Sequence, residues 1–214
     1  MKTSTGCLIA VVVVAVIAGL MGVGLYNGLV GAREAVDSQW SQVENVYQRR
    51  ADLIPNLVAS VKGAANYEQT TLTQVVEARS RVGQVTTQAP GAILNDPQKF
   101  QQFQQAQDQL SSALSRLLVV VERYPDLKAV QGFRDLMTEL EGTENRISVE
   151  RRRFNEVAQS YNTRIKTFPA VLLAGMMGFQ PRPYFQSQPG AETAPKVDFG
   201  TPSPAPAPTP VTPH

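Results

Sequence analysis

The amino-acid sequence predicts an all-α protein with an N-terminal transmembrane helix, an antiparallel four-helix bundle of the up-and-down kind, and a disordered proline-rich tail. Three observations predict this architecture. An uncharged apolar run lies near the start, apolar residues recur at spacings of three and four through the middle, and eight prolines lie between Gln186 and His214. Spacings of three and four place apolar side chains on one helix face, which must be buried against other helices.

The predicted membrane segment comprises residues 7–25 and follows a short extension, 1–6. Its 19 residues carry no charge, and as a helix they would extend about 28 Å, close to the hydrocarbon thickness of a bilayer. A cleaved signal peptide is the alternative, but the run continues seven residues beyond Ala18, which favours an anchor. We therefore expect a single-pass membrane protein. The charges on the two flanks nearly cancel, so the side of the helical domain stays open.

The predicted bundle occupies residues 26–168, and its first stretch, 26–82, keeps one apolar phase across Pro55. Proline lacks the backbone donor that a helix interior requires. Two interpretations follow: a turn at 52–54 starts a second helix with Pro55 in its first turn, or Pro55 kinks one long helix. The turn is the favoured interpretation.

Two more helices complete the predicted bundle. A loop is expected at 83–97, where proline, glycine and asparagine cluster, and it is followed by helices at about 97–124 and 126–168. The short connection between these two helices predicts antiparallel neighbours. In the last helix, ten of twelve positions at strict three–four spacing are apolar, and the exceptions are Glu144 and Arg151.

The C-terminal part divides into two segments. Residues 169–185 are apolar and aromatic but too few to span a bilayer. They are expected either to cap the bundle core or to lie in the membrane interface, and both interpretations stay open. Residues 186–214 have too little apolar surface to fold, which predicts a disordered, extended tail.

Two groups of polar residues are candidate sites. Arg50, Glu68, Glu144 and Arg151 fall on predicted seams, where a buried ion-pair cluster would fix the helix register. Binding of a ligand by the same cluster is the weaker alternative. The second group surrounds the predicted turn, where an exposed contact with a protein partner is expected; its members are Arg49, Asp52 and Asn56. Gly24 and Gly28 also have the spacing that permits self-association of membrane helices.

The composition excludes several chemical classes. His214 is the only histidine and Cys7 the only cysteine, so histidine-based metal sites and triads are absent from the sequence. We expect no catalytic, cofactor-binding or metal-binding residue and no enzymatic activity. Residues 26–168 hold 17 Lys or Arg and 16 Asp or Glu, and this balance predicts no nucleic-acid partner.

Ten short motifs follow one another along the chain. They are Tyr-Asn-Gly-Leu-Val at 26–30, Arg-Arg-Ala-Asp-Leu-Ile-Pro-Asn-Leu-Val at 49–58, Val-Lys-Gly at 61–63, Glu-Ala-Arg at 77–79, Glu-Arg-Tyr-Pro-Asp-Leu-Lys-Ala at 122–129, Glu-Leu-Glu-Gly-Thr-Glu-Asn-Arg-Ile at 139–147, Arg-Arg-Arg-Phe-Asn at 151–155, Tyr-Asn-Thr at 161–163, Phe-Pro at 168–169 and Gly-Phe at 178–179. In this collinear order they resemble the motifs of the LemA family.

The resemblance implies a bacterial protein of the cytoplasmic (inner) membrane, with an N-terminal membrane helix and a bundle of four helices. It implies no reaction, because the activity of the family is not established. Some members are encoded beside membrane metallopeptidases, which implies a role near envelope quality control. The expected function is a scaffold or adaptor with unidentified protein partners, and the alternative is a lipid- or membrane-surface-modulating protein that acts through segment 169–185.

Overall fold

The computed structural model describes residues 2–64, 69–86, 90–122 and 130–186, and within these ranges all regular structure is helical. The elements are α1 (Lys2–Ala64), α2 (Gln69–Thr86), α3 (Pro90–Leu94), α4 (Pro97–Glu122), α5 (Gln131–Lys166) and α6 (Ala170–Ala174). The all-α class is therefore confirmed. The tail predicted to be disordered lies outside the described residues from position 187 onwards.

Helix α1 contains both the apolar N-terminal run and the first helix of the bundle. Its large apolar side chains from Leu8 to Val23 are exposed. In the described part of the chain, α1 is the helix long and apolar enough to cross a membrane. Bundle packing begins at Leu29 without any interruption of the helix.

The bundle is built from two antiparallel helix pairs. Helix α1 packs along α5, and α2 packs along α4. Two polar contacts in each pair give the directions. Gln39 contacts Glu150 and Arg49 contacts Glu139, so α5 runs opposite to α1. Gln74 contacts Arg116 and Arg81 contacts Gln109, so α4 runs opposite to α2. The chain thus runs outward along α1, back along α2, outward along α4 and back along α5, as the predicted topology requires.

Two apolar clusters form the core. The proximal core lies at the end next to the apolar run and is rich in aromatic rings, including Trp40, Phe103 and Phe154. The distal core is mainly aliphatic and joins Ile54, Leu110 and other residues of α1, α2, α4 and α5. The predicted apolar seam positions from 29 to 121 are buried, because the three–four spacing keeps their side chains on the facing stripes. They are Leu29, Val36, Trp40, Val43, Tyr47, Ile54, Leu57, Val61, Val75, Val82, Phe100, Phe103, Leu110, Leu114, Leu117 and Val121. The stripe on α4 also includes Gln107, which is buried as well.

The turn favoured at residues 52–54 is wrong, since α1 continues through Pro55 to Ala64. The next described helix starts at Gln69, so the chain reverses later than expected. Helix α5 starts at Gln131, about one turn later than predicted. Both ends of the predicted α5 seam are solvent-exposed: Val130 at 50% and Phe168 at 81%.

Segment 167–186 closes the proximal end. After α6 the chain turns at Gly178, whose φ of 76° favours glycine, and returns in extended form along α5. Four of its side chains belong to the proximal core: Ala170, Ala174, Phe179 and Phe185.

Candidate functional site

A buried polar layer crosses the bundle between the two cores, and Arg50 is its centre. The Arg50 side chain is fully buried. Its Nη1 donates to Glu144 Oε1 at 2.8 Å and to Ser111 Oγ at 2.6 Å. Its Nη2 donates to the backbone and side-chain oxygens of Gln107. The layer therefore ties α1 to α4 and α5.

In this layer a buried cation is paired with a carboxylate that is partly exposed to water. The Glu144 side chain is 37% exposed, so it keeps part of its hydration while it pairs with Arg50. The guanidinium also lies 5.1 Å from the Tyr47 ring centroid, within the range of a cation–π contact. Any slip of α1 along α5 would leave the Arg50 charge without these partners, so the layer fixes the register.

A second ion pair lies one heptad along α5. Arg151 Nη2 approaches Asp108 Oδ1 at 2.9 Å, and Arg151 Nε donates to the Tyr47 hydroxyl. The Arg151 guanidinium also lies 5.0 Å from the Phe185 ring centroid. Burial raises the pKa of the Tyr47 hydroxyl, and the neighbouring Arg151 opposes that rise.

The predicted seam cluster is thus brought together in part. Arg50 and Glu144 pair directly, and Arg151 forms a separate pair with Asp108. Glu68 lies outside the described residues. Sequence reasoning missed Asp108, Ser111 and the acceptor role of Gln107; only the position of Gln107 on the α4 stripe gave a signal.

The three residues predicted for an exposed turn lie instead on the middle of α1. Arg49 pairs with Glu139 at 2.6 Å, and both side chains are exposed. Asp52 accepts a hydrogen bond from Gln48 at 2.8 Å and does not cap a helix. Asn56 is exposed. Because their spacing is three and four, Arg49, Asp52 and Asn56 share one outward face of α1.

Pro55 creates an acceptor that α2 uses. A proline at position 55 cannot donate to the carbonyl of Ala51, four residues earlier. Arg79 of α2 donates its Nε–H to that carbonyl at 3.1 Å. The helix therefore tolerates Pro55, and the vacated carbonyl links α1 to α2.

A clamp on α5 holds the returning C-terminal segment. Asn162 bonds both the N–H and the C=O of Arg182 at 2.8 Å, and Asn155 does the same for Phe185 at 2.9 Å. Seven helical residues and three extended residues both span about 10 Å, so the two registers match. The Arg182 side chain is buried, pairs with Asp37 Oδ1 at 3.0 Å and bonds Asn95. Burial raises the pKa of Asp37, and Arg182 opposes that rise.

Comparison with known proteins places these features in a family. The model of the LemA family matches residues 39–199, which is more than half of the chain. The chain belongs to the LemA family. This LemA-family chain is 30% identical over 182 residues to Magnetosome protein MamQ 2 of Paramagnetospirillum magneticum, covering 78% of this chain and 67% of the relative. It is 25% identical over 146 residues to Protein LemA of Metamycoplasma hominis, covering 68% of this chain and 62% of the relative.

The LemA-like motifs coincide with the polar contacts described above. The motif at 49–58 supplies Arg50 and Pro55, and the motif at 139–147 supplies Glu144. The motifs at 151–155 and 161–163 supply the two clamp asparagines. The resemblance therefore rests on residues that fix the bundle register and close its proximal end.

Another of these motifs, Phe-Pro at 168–169, begins an exposed apolar rim at the proximal end of the LemA-family bundle. The rim consists of Phe168, Val171, Leu172 and Met176, and the exposure reaches 87% at Met176. It lies next to the start of the bundle on α1, because the Phe179 ring packs against that of Tyr26 at 5.8 Å. Four large apolar side chains within nine residues form an apolar patch, and its exposure to water is unfavourable.

Proposed function

We propose that the protein is a single-pass, membrane-anchored adaptor without enzymatic activity, which holds a protein partner at a fixed position above the bacterial cytoplasmic membrane. The observation that carries this proposal is the uninterrupted helix α1, in which the apolar run continues directly into the bundle. A continuous helix transmits position and orientation without a flexible joint. Residues 7–25 would contact the lipid bilayer.

The polar groups of the bundle support a structural role. Arg50, Arg151 and Arg182 each pair with a carboxylate and with uncharged acceptors. The outward face of α1 that carries Arg49, Asp52 and Asn56 is the surface that we assign to the partner. The LemA-family resemblance points the search for that partner to the neighbourhood of membrane metallopeptidases and envelope quality control.

Site-specific photo-crosslinking in native membranes tests the adaptor. A photoreactive residue is placed at Asn56 in the full-length protein, and a matched one at Glu141, an exposed position on α5. We expect a discrete protein adduct from Asn56, and we expect it to be lost in a chain that lacks residues 1–25. Equal adducts from both positions, or adducts with lipid and with itself alone, would contradict the proposal.

A second candidate function is modulation of the membrane surface through segment 169–185. The exposed rim favours it, because apolar side chains beside a membrane helix can enter the lipid interface. The basic residues Arg164 and Lys166 in the last turn of α5 would then lie at the level of the lipid headgroups.

Spin-label accessibility measures whether the rim enters the bilayer. Nitroxides are attached at Leu172→Cys, Met176→Cys and, as a control, Val119→Cys, all in a Cys7→Ser chain reconstituted in nanodiscs. Val119 is exposed to 61% but lies on α4. We expect oxygen accessibility typical of lipid at 172 and 176 and of water at 119. Aqueous values at all three positions would exclude this function.

A further inference from the structure

The proximal end contains a polar cavity that neither function uses. It has a volume of about 460 Å³. Residues from α1, the α3 region, α5 and the returning segment line it: Arg33, Asp37, Gly91, Asn95, Tyr161, Gly178, Gln180 and Arg182. Four separate parts of the chain thus form the wall of the cavity, and two of them each supply a guanidinium group.

The charged residues that line the cavity are two arginines and one aspartate, which sum to one positive charge. Asp37 pairs with Arg182, which neutralises one of the two arginines. Arg33 forms no ion pair with any described residue, and its guanidinium lies 5.6 Å from the Phe179 ring centroid. A monovalent anion would therefore balance the charges that line the cavity.

The second arginine of the cavity is almost fully buried. Arg182 is 6% exposed, and its two Nη groups donate to Asn95 and Asp37. These contacts fix its guanidinium at the cavity wall. The Tyr161 hydroxyl and the Asn95 amide supply uncharged hydrogen-bonding groups beside the two arginines.

The position of the cavity indicates where such an anion is found. Arg33 lies eight residues beyond Leu25, about 12 Å along the helix axis. The headgroup layer extends about 5–7 Å beyond the hydrocarbon, and an arginine side chain can reach toward that layer. Phe179 links the cavity wall to Tyr26, at the start of the bundle.

We propose that this cavity binds a phosphate group, with Arg33 and Arg182 as its cationic partners and Tyr161 and Asn95 as further hydrogen-bonding groups. Guanidinium groups match the spread oxygens of a phosphate better than a single carboxylate does. The phosphate comes either from a lipid headgroup or from free phosphate in solution. This site is independent of the protein partner proposed above.

The experiment measures the unfolding midpoint of the full-length chain in an uncharged detergent. The two probes are inorganic phosphate, compared with chloride at equal ionic strength, and dihexanoylphosphatidylglycerol. A ligand that binds only the folded state raises the midpoint in proportion to its affinity. We expect at least one probe to raise it.

Three variants test whether the probe binds in this cavity. Arg33→Gln should weaken binding about tenfold, as expected when one charge-assisted hydrogen bond is lost. Gly91→Leu should also weaken it by filling the cavity, since a Cβ at position 91 would lie 4.0 Å from the Asn95 side-chain nitrogen without a clash. Arg152→Gln makes the same charge change at an exposed position of α5 outside the cavity and should leave binding unchanged.

The outcomes separate the sources and test the site. Loss of binding in Arg33→Gln and Gly91→Leu but not in Arg152→Gln supports the site. A response to the lipid alone assigns the site to a headgroup, and a response to phosphate assigns it to the free anion. An equal loss of binding in Arg152→Gln would show general charge attraction and overturn the proposal. So would the absence of any midpoint shift with either probe in the unmodified chain.

Discussion

At the scale of single residues, Arg50 and Glu144 form an asymmetric pair. The cation is fully buried, whereas 37% of the carboxylate side chain remains exposed. Removal of Arg50 and removal of Glu144 therefore have different consequences. Without Arg50 the carboxylate can recover its hydration, but without Glu144 the guanidinium stays buried and keeps only uncharged acceptors.

This asymmetry predicts that Glu144→Leu destabilises the fold more than Arg50→Met. Breaking a buried pair costs about 3–5 kcal/mol; we expect Glu144→Leu near the upper value and Arg50→Met near the lower. The measurement is the free energy of unfolding in denaturant for the full-length protein in detergent. The pair of Arg153 and Glu150, in which the Arg153 side chain is 60% exposed, supplies the control, because Arg153→Gln should cost less than about 1 kcal/mol. Equal effects of the two core substitutions would contradict a carboxylate-compensated layer.

The same residues show what a sequence can predict about a site. Arg50, Glu144 and Arg151 could be identified because a charge on an apolar stripe is conspicuous. Asp108 could not, because it lies beside the α4 stripe and looks like a surface residue. Arg182 gave no signal either, since an extended segment clamped by two asparagines has no helical periodicity, although Asn155 and Asn162 do lie one heptad apart.

At the scale of helices, α1 shows why Pro55 did not make a turn. The apolar phase is the same on both sides of the proline, so Ile54, Leu57 and Val61 remain on the buried face only if the helix continues. Burial of that stripe outweighs the lost hydrogen bond, and Arg79 satisfies the free carbonyl. The prediction from local proline chemistry alone therefore placed the end of the helix at the wrong residues.

This arrangement predicts coupling between Pro55 and Arg79. Pro55→Ala restores a backbone donor to the Ala51 carbonyl and should stabilise the protein by up to about 3 kcal/mol. Arg79→Ala should cost about 0.5–1 kcal/mol in the unmodified chain and almost nothing in the Pro55→Ala background. The double-mutant cycle in the unfolding free energy measures the difference. Strict additivity would show that the Arg79 contact contributes nothing.

The ends of α5 show the limit of periodicity at this scale. Val130 and Phe168 continue the seam spacing, yet both are exposed. A stripe indicates which face of a helix is buried only where another helix lies opposite, and at Phe168 the bundle has ended. The exposed end of the seam is thus also the start of the apolar rim.

At the scale of the whole molecule, the length of α1 and the antiparallel order of the helices decide which end of the bundle lies next to the apolar run. The fold class, the antiparallel order and the core residues on the helical seams followed from the spacing of apolar residues and the short connections. The closure of the proximal end did not, since it depends on contacts of segment 167–186 with α1, α4, α5 and Asn95. That closure places the rim and the polar cavity at one end, beside the apolar run, and leaves the distal core remote from it.

The continuous α1 predicts that the bundle stands away from the bilayer instead of lying on it. Lys62 is 37 residues beyond Leu25, so position 62 should lie about 55 Å along the helix from the end of the apolar segment, whereas position 31 should lie about 9 Å from it. Energy transfer from a donor on Lys62→Cys or Gly31→Cys to acceptor lipids, in nanodiscs and a Cys7→Ser chain, measures both heights. Both positions are exposed, so labelling should leave the packing intact. Efficient transfer from Gly31→Cys and weak transfer from Lys62→Cys are expected; efficient transfer from both would mean that α1 bends at the membrane and would remove the rigid spacing on which the adaptor depends.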